Sequence, residues 1–374
     1  MVQLRELITP APLVRCGSRE LPVLSMTMHD GIMLQSDRFK KSIASVDQSL
    51  YKIVKRNQLV VGFPIDEGVL YIQNVVDEGI MSPAYDVWNV DQSKIDLSFL
   101  ELSLHSPRSM LYYKSNLRGT TARRRSLPKD VLLSLPVCLP SIENQKKISE
   151  IIKKTNYSLL LRKQQLQALD DLVKARFVEM FGDPVSSKGK TKKLSDIGCI
   201  FTGNTPPMKN LEFYDSKDIP FVKPGDISED RVTWINRAES FISENARSVA
   251  RLMPKNSVLV TCIGTIGKIG IATEECSCNQ QINYIIPNES VEPVYLAYCI
   301  FFVKNILISM ANAPVVPIIN KSQFSALEIP VAESSKQKQF VAFVSQIDKA
   351  KAAVQKALDE TQMLFDSLMQ EYFG

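Results

Sequence analysis

Residues 174–184 read KARFVEMFGDP and residues 364–374 read LFDSLMQEYFG. Each time, Phe-Gly closes a long stretch of charged and apolar residues that contains neither Pro nor Gly. Glycine suits the left-handed position that ends a helix, and Pro184 keeps the first helix from continuing. The two glycines stand 192 residues apart, and the same shift lays Gln145-Lys146 on Gln337-Lys338 and Leu166 on Leu358. One helix ending, written twice, predicts a duplicated element.

Alternating steps of four and three residues test its period. From Ile148 they reach Ile152, Thr155, Leu159, Arg162, Leu166, Leu169, Val173, Arg176 and Met180. From Phe340 they reach Val344, Ile347, Lys351, Val354, Leu358, Thr361, Phe365, Leu368 and Tyr372. Apolar residues hold seven of the first ten positions and eight of the second ten, a 3.5-residue period kept over about five heptads. That is the seam of a helix pair. Thr155, Arg162, Arg176 and Lys351 interrupt it as lone polar positions that set register. Each helix spans about 39 residues, or about 58 Å at 1.5 Å per residue.

A proline-containing lead-in precedes each helix: LPVCLP (135–140) and LEIPVAE (327–333). Upstream of each lie roughly 140 residues with strand signals, KIVKRNQLVV (52–61) and YDVWNV (85–90) in one, VLVTCIGTIGKIGI (258–271) and INYIIP (282–287) in the other. One shorter helix is expected in each, at 96–106 and at 293–310. The fold class is α/β (α+β): two globular domains separated by two long antiparallel helices that form a coiled coil with pseudo-twofold symmetry. Boundaries fall at 1–142, 143–183, 184–334 and 335–374. The helices run antiparallel because the first carries the chain from one globular part to the other. The parts share element order but little sequence, which suggests one scaffold for two different recognition tasks.

Composition excludes several classes. Hydrophobic content of 45% and charged content of 23% are ordinary for a globular protein. No apolar run approaches the ~20 residues that cross a bilayer. The opening MVQLRELITP lacks a basic stretch followed by an apolar block, so a cytoplasmic chain without a signal peptide is expected. Seven scattered cysteines suit reduced thiols. Cys276 and Cys278 have no further ligands at metal spacing, and only His29 and His105 are available for imidazole chemistry. Neither a metal nor a cofactor is expected. GTIGKIG fails as a phosphate loop because Ile269, not a hydroxyl residue, follows Lys268. NTPPM (204–208) is not an Asn-Pro-Pro-aromatic methyltransferase motif, since Thr205 separates Asn204 from the prolines. Nothing here points to catalysis.

Ordered motifs carry a resemblance. LPSIENQKKISEII (139–152) is similar to the helical-spacer entry of Type I restriction-modification specificity subunits, and KARFVEMFGDP to the spacer exit. KKLSDIGCIFTGNTPP (192–207) resembles the opening of a target-recognition domain in that family, and LVTCIGTIGKIGIA (259–272) its Gly-x-Ile-Gly-Lys strand-turn-strand. VLSMTMHDGI (23–32), SLYKIVKRNQLVV (49–61), EGIMSPAYDVW (78–88) and TARRR (121–125) resemble another variety of such a domain, which lacks the Gly-x-Thr-Pro opener.

The resemblance covers nearly the whole chain. It implies that each globular domain reads one half of a split, asymmetric target in double-stranded DNA. The helices would dock methyltransferase subunits, two of them, and restriction (motor) subunits would join. No membrane is involved. Candidate DNA contacts in the first domain are Arg123, Arg124 and Arg125, with Arg118 behind them. In the second they are Lys268, Asn279, Gln280, Gln281, Asn320 and Lys321. KGKTKK (188–193) is read as a solvated linker. The alternative is a coiled-coil adaptor whose two heads bind proteins.

Overall fold

A computed structural model describes residues 1–28, 30–38, 48–117, 127–185, 191–311 and 316–374. Two helices of 40 residues dominate it, Ile142–Phe181 and Ser334–Phe373. The chain divides into two compact units, Met1–Arg162 with Ala357–Gly374, and Lys163–Lys356, and each long helix contributes to both.

In the first unit the start of the first long helix meets the end of the second. Ile148 and Ile152 share a core with Phe365, Leu368, Met369, Tyr372 and Phe373. In the second unit the end of the first helix meets the start of the second. There Val173, Phe177, Met180 and Phe181 pack with Phe340, Val344 and Ile347. The helices therefore pair antiparallel in each unit. All twenty positions of the 3.5-residue seam are buried or half-buried.

The polar seam residues differ in how they are met, and the buried Nε atoms of Arg162 and Arg176 have no hydrogen-bond partner among the described residues. Thr155 and Thr361 donate their hydroxyls to the carbonyls of Ile151 and Ala357, at 2.9 and 2.7 Å, so they need nothing from the partner helix. Lys351 reaches across to Asp170, whose side chain is only 9% exposed, and Arg231 lies 3.9 Å from the other carboxylate oxygen. Arg176 places its guanidinium 5.8 Å from the centroid of the Phe343 ring.

The globular parts are built on one sheet plan. In the first unit the strands run Ile8–Pro10, Asp86–Val90, Leu59–Val61, Leu70–Ile72, all antiparallel. In the second they run Gly198–Thr202, Ile282–Pro287, Val258–Thr261, Ile269–Ala272, and then Thr233–Ile235 joins in parallel. The first four strands correspond in order and direction.

Local details repeat as well. Asn57 and Asn256 both adopt positive φ (70° and 71°) two residues before the third strand in that order. Each then donates its backbone N–H across the hairpin, to Gln73 and to Ala272. Asparagine tolerates that left-handed conformation better than most residues. The entry to each part is also the same. Leu4 N–H donates to Leu135 and Leu194 N–H to Leu327, both at 2.9 Å, just before the lead-in to the long helix.

The parts differ in their second layer. The second unit adds a four-stranded sheet, Ser240–Ile242, Ile219–Val222, Cys276–Cys278, Leu252–Met253, where the first has the separate pairs Leu24–Met26 with Ile32–Leu34 and Lys52–Lys55 with Glu78–Met81. Two of the expected helices are corrected. The segment expected at 96–106 continues beyond a break: Ser106 caps a new helix, Pro107–Asn116, and accepts from Ser109 N–H at 3.2 Å. The proline at its first turn cannot continue the Leu97–Leu104 helix but suits a fresh start. The single helix expected at 293–310 breaks at Val303 into Pro293–Phe302 and Lys304–Ser309.

The Asp170–Lys351 pair gives a direct test of the seam. Lys351→Met leaves the buried Asp170 carboxylate with only the more distant, half-exposed Arg231, with an expected loss of about 3 kcal/mol in urea unfolding. Adding Asp170→Leu removes the stranded charge and restores most of that loss. Additive losses in the double variant would show that the two groups do not act on each other.

Candidate nucleic-acid interface

In the second unit the first sheet strand, Gly198–Thr202, runs into the loop GNTPP (203–207). Gly203 is required there by space. A Cβ at this position would stand 2.4 Å from the carbonyl oxygens of Cys278 and Asn279. The close approach zips the loop to the segment CNQQIN (278–283). Gly203 N–H donates to Ile282 at 3.0 Å, Thr202 donates to the Asn283 side chain at 2.7 Å, and Thr205 to the Gln280 side chain at 2.8 Å. Asn204 and Arg251 close the other side: Arg251 N–H donates to Asn204 Oδ1 at 2.7 Å, and its guanidinium to Thr202 O at 2.8 Å.

The tight turn and the IINK segment lie alongside. Cys262 N–H donates to Gln281 O and Ile319 N–H to Cys262 O, both at 2.8 Å, while Gly264 N–H reaches Pro317 O at 3.0 Å. Four stretches distant in sequence therefore meet side by side. They hold all six candidates of the second domain.

Their individual roles differ. Lys268 follows two left-handed glycines, Gly264 and Gly267, and its half-buried ammonium donates to Pro224 O at 3.1 Å. Asn279 bonds to the amide N–H and side chain of Gln281, at 3.1 and 2.9 Å, and so shapes its own loop. Asn320 caps the helix Lys321–Ser325, accepting from Gln323 N–H at 2.8 Å. Gln280 and Lys321 are exposed. Lys321 stands 5.7 Å from the centroid of Phe201, which is itself stacked on Tyr284. Just beyond the GNTPP loop in sequence, Met208 and Leu211 are 76% and 79% exposed. Phe201, Thr205 and Arg251 belong to the arrangement although the sequence reading named none of them as a site. The tight Gly203 junction was the available signal.

Arg118, Arg123, Arg124 and Arg125 lie outside the described residues. The turn of the first unit that corresponds to Gly264–Lys268 carries Asp66 and Glu67 and ends on left-handed Gly68. Buried Val69 follows that glycine where Lys268 follows Gly267. The two parts therefore present opposite charge at one equivalent place.

The site's thiols are inert. Burial pushes Cys262 and Cys276 up to about 12 and Cys278 well above the usual thiol range, so none is a thiolate near neutrality. Among the described residues no group of three or more His, Cys, Asp or Glu is arranged to hold a metal. His105 is held inside the first unit, its ring nitrogens 2.8 and 2.9 Å from the carbonyl oxygens of Glu101 and Gly68. No described helix is long and apolar enough to cross a membrane.

Residues 187–361 match the model of the Type I restriction modification DNA specificity domain. That stretch, just under half of the chain, resembles the DNA specificity domain of the Type I restriction-modification specificity subunits. The chain is 25% identical over 336 residues to the Type I restriction enzyme HindI specificity subunit of Haemophilus influenzae, covering 70% of this chain and 73% of that one. It is 31% identical over 162 residues to the MjaIX specificity subunit of Methanocaldococcus jannaschii, covering 42% and 37%. In fold it resembles a chain from a structural study of Type I system assembly and conformational transition, with TM-score 0.61, 16% identity and 100% and 96% coverage. The S subunit from M. genitalium gives TM-score 0.58 at 12% identity, with 100% and 95% coverage. The family model reaches only the second domain and most of the second long helix. Likeness over the first domain rests on the repeated sheet, the full-length fold matches and part of the HindI alignment, whose 70% coverage exceeds the second domain and both long helices.

Gly203→Ala tests the junction of the loops. Its Cβ must displace two carbonyls, and a loss of about 2 kcal/mol is expected in thermal unfolding. Gly225→Ala, where a Cβ meets nothing within 4 Å, is the control and should leave the midpoint within a degree or two. Equal midpoints for both variants would remove the steric reason for the glycine.

Proposed function

We propose that this protein supplies DNA sequence specificity to a Type I restriction-modification complex and performs no catalysis of its own. Each globular domain reads one half of a split, asymmetric target in double-stranded DNA, and the helix pair docks two methyltransferase subunits. Those partners carry the methyl donor; this chain carries none. Restriction subunits with motor activity complete the assembly.

One observation carries the reading. The same sheet order recurs in both units, while the loops at corresponding places differ in shape and charge: a Lys268-bearing turn in one, an Asp66-Glu67 turn in the other. Repetition of the frame with divergence of the edge suits two readers of unrelated short sequences. Helices of 40 residues, about 60 Å long, match one to two turns of B-DNA. Once one half is bound, the other binds intramolecularly at high effective concentration.

Lysine and arginine contacts to phosphates supply affinity, and Arg, Asn and Gln at base edges supply discrimination. Gln280, Asn320 and Lys321 are the candidates of the second domain that stand exposed; the Asn320 side chain is committed to its helix cap, which leaves Lys321 and Gln280 for these tasks. Tyr157, Leu160 and Leu161, between 45% and 60% exposed, lie on the first long helix away from its seam and offer apolar surface to a methyltransferase.

Adenine methylation mapped genome-wide, with the gene present and absent, tests this directly. A split motif that disappears with the gene is expected. An unchanged map would end the proposal. With the methyltransferase partner bound, affinity for random duplex DNA should fall steeply with salt. A flat response would favour an adaptor with protein-binding heads.

Lys321→Ala should weaken binding to all sequences and lower the salt slope by about one, whereas Gln280→Ala should relax preference within one half-site only. Alanine at Arg123, Arg124 and Arg125 together should weaken the other half-site and leave assembly with the methyltransferase intact. Loss of assembly would place those arginines elsewhere.

A further inference from the structure

Gln145 and Gln337 occupy equivalent places in the two copies of the long helix, and both are fully buried. Their hydrogen bonds are the same. Gln145 Oε1 accepts from Asp96 N–H at 2.8 Å, and its Nε2 donates to Lys94 O and Pro140 O at 3.1 and 2.8 Å. Gln337 Oε1 accepts from Glu292 N–H at 2.8 Å, and its Nε2 donates to Ser290 O and Ala332 O at 3.3 and 2.7 Å.

Asp96 and Glu292 are the N-cap residues of the short helices Leu97–Leu104 and Pro293–Phe302. A primary amide is the one side chain that presents an acceptor and two donors from a single planar group. Here all three functions are used by backbone, two by the globular part and one by the helix lead-in.

The same short helices are gripped a second time, by the other long helix. Phe373 packs on Phe99, with centroids 5.0 Å apart, and Phe181 packs edge-on to Tyr295, at 4.8 Å. Phe99 and Tyr295 are both the third residue of their short helix. Each globular part is thus held at one short helix by two contacts, an amide from the long helix that follows it and a ring from the end of the other. Two contacts on one rigid element fix its direction; one would leave it free to pivot.

We propose that Gln145 and Gln337 are positioning residues that set the angle between each globular part and the helix pair, and through it the gap between the two half-sites. This rests on the DNA-reading function proposed above. The glutamines touch no base. They act by fixing the part that does, so their loss should blur the gap without changing which bases are read.

The test uses the full chain assembled with its methyltransferase partner. Gln337→Leu keeps the side chain's bulk and removes all three bonds. Hydrogen exchange of the 288–296 backbone should quicken about tenfold, with 94–100 unchanged; Gln145→Leu should give the reverse pattern. On a library of targets with randomised gaps, each variant should modify the native gap about tenfold less and neighbouring gaps more, with both half-site sequences retained. A gap profile as sharp as wild type, despite quickened exchange, would overturn the positioning role, as would unchanged exchange.

Should the Leu variants fail to assemble, Gln145→Glu and Gln337→Glu decide. A carboxylate cannot donate to the two carbonyls but a carboxylic acid donates to one, so the sharp gap should return as pH falls and stay blurred above neutrality. No pH response would count against the latch. If wild type modifies no library member, the DNA reading fails on its own, and the exchange pattern alone then judges the latch.

Discussion

A helix of 40 residues with about half its surface charged or polar has no reason to persist in water unless one stripe of it is covered. Here the covering is mutual. The seam positions from Ile148 to Met180 and from Phe340 to Tyr372 lie buried or half-buried, and within each unit the start of one seam shares a core with the end of the other and with the globular part. Pairing in opposite directions follows in each unit because the start of one helix meets the end of the other. The Phe-Gly endings then acquire a purpose beyond stopping the helix: Phe181 and Phe373 turn into the globular parts and join their cores.

On that pair the chain mounts one frame twice. The order of four antiparallel strands, the left-handed asparagine before the third, the leucine-to-leucine bond at the entry and the buried amide at the helix start all recur. What varies lies farther out, in the second layer and in the turns. A protein that must keep its scaffold while changing what it recognises benefits from this separation, since loop substitutions at the edge leave the buried hydrogen bonds alone. The second domain's edge is polar and partly aromatic. It has exposed Gln280 and Lys321 beside an aromatic stack, with raised and therefore protonated thiols beneath.

Much of the plan was legible in the primary structure because it rests on periodicity. The 3.5-residue seam, the terminating glycines and the proline lead-ins are local signals that need no knowledge of neighbours. Gln145 and Gln337 were even in register on the page, yet nothing there told that their amides would be spent on backbone of the preceding domain. The first domain's alignment was harder. RNQLVV (56–61) and KNSVLV (255–260) occupy equivalent places, as do VQL (2–4) and KKL (192–194), but too few identities remain to stand out from chance. Site residues were the least legible, because an amide in a loop satisfies backbone as readily as a ligand. Asn279 and Asn320 turned out to be engaged within their own loop and helix cap, while Gln280 stayed exposed.

By itself, then, the amino-acid sequence determined that there would be two long helices with matched apolar stripes, where each would end, and which broad family the motif order resembles. Those are properties of short-range spacing and of single residues such as glycine and proline. Only the tertiary structure decided which polar groups are free and which are spent: that Lys268 faces Pro224, that Gly203 lets two loops touch, and that a glutamine and a ring from different helices grip the same short helix. Hydrogen bonds between residues tens to hundreds of positions apart have no period and leave no local trace, so they become visible only when the chain is folded.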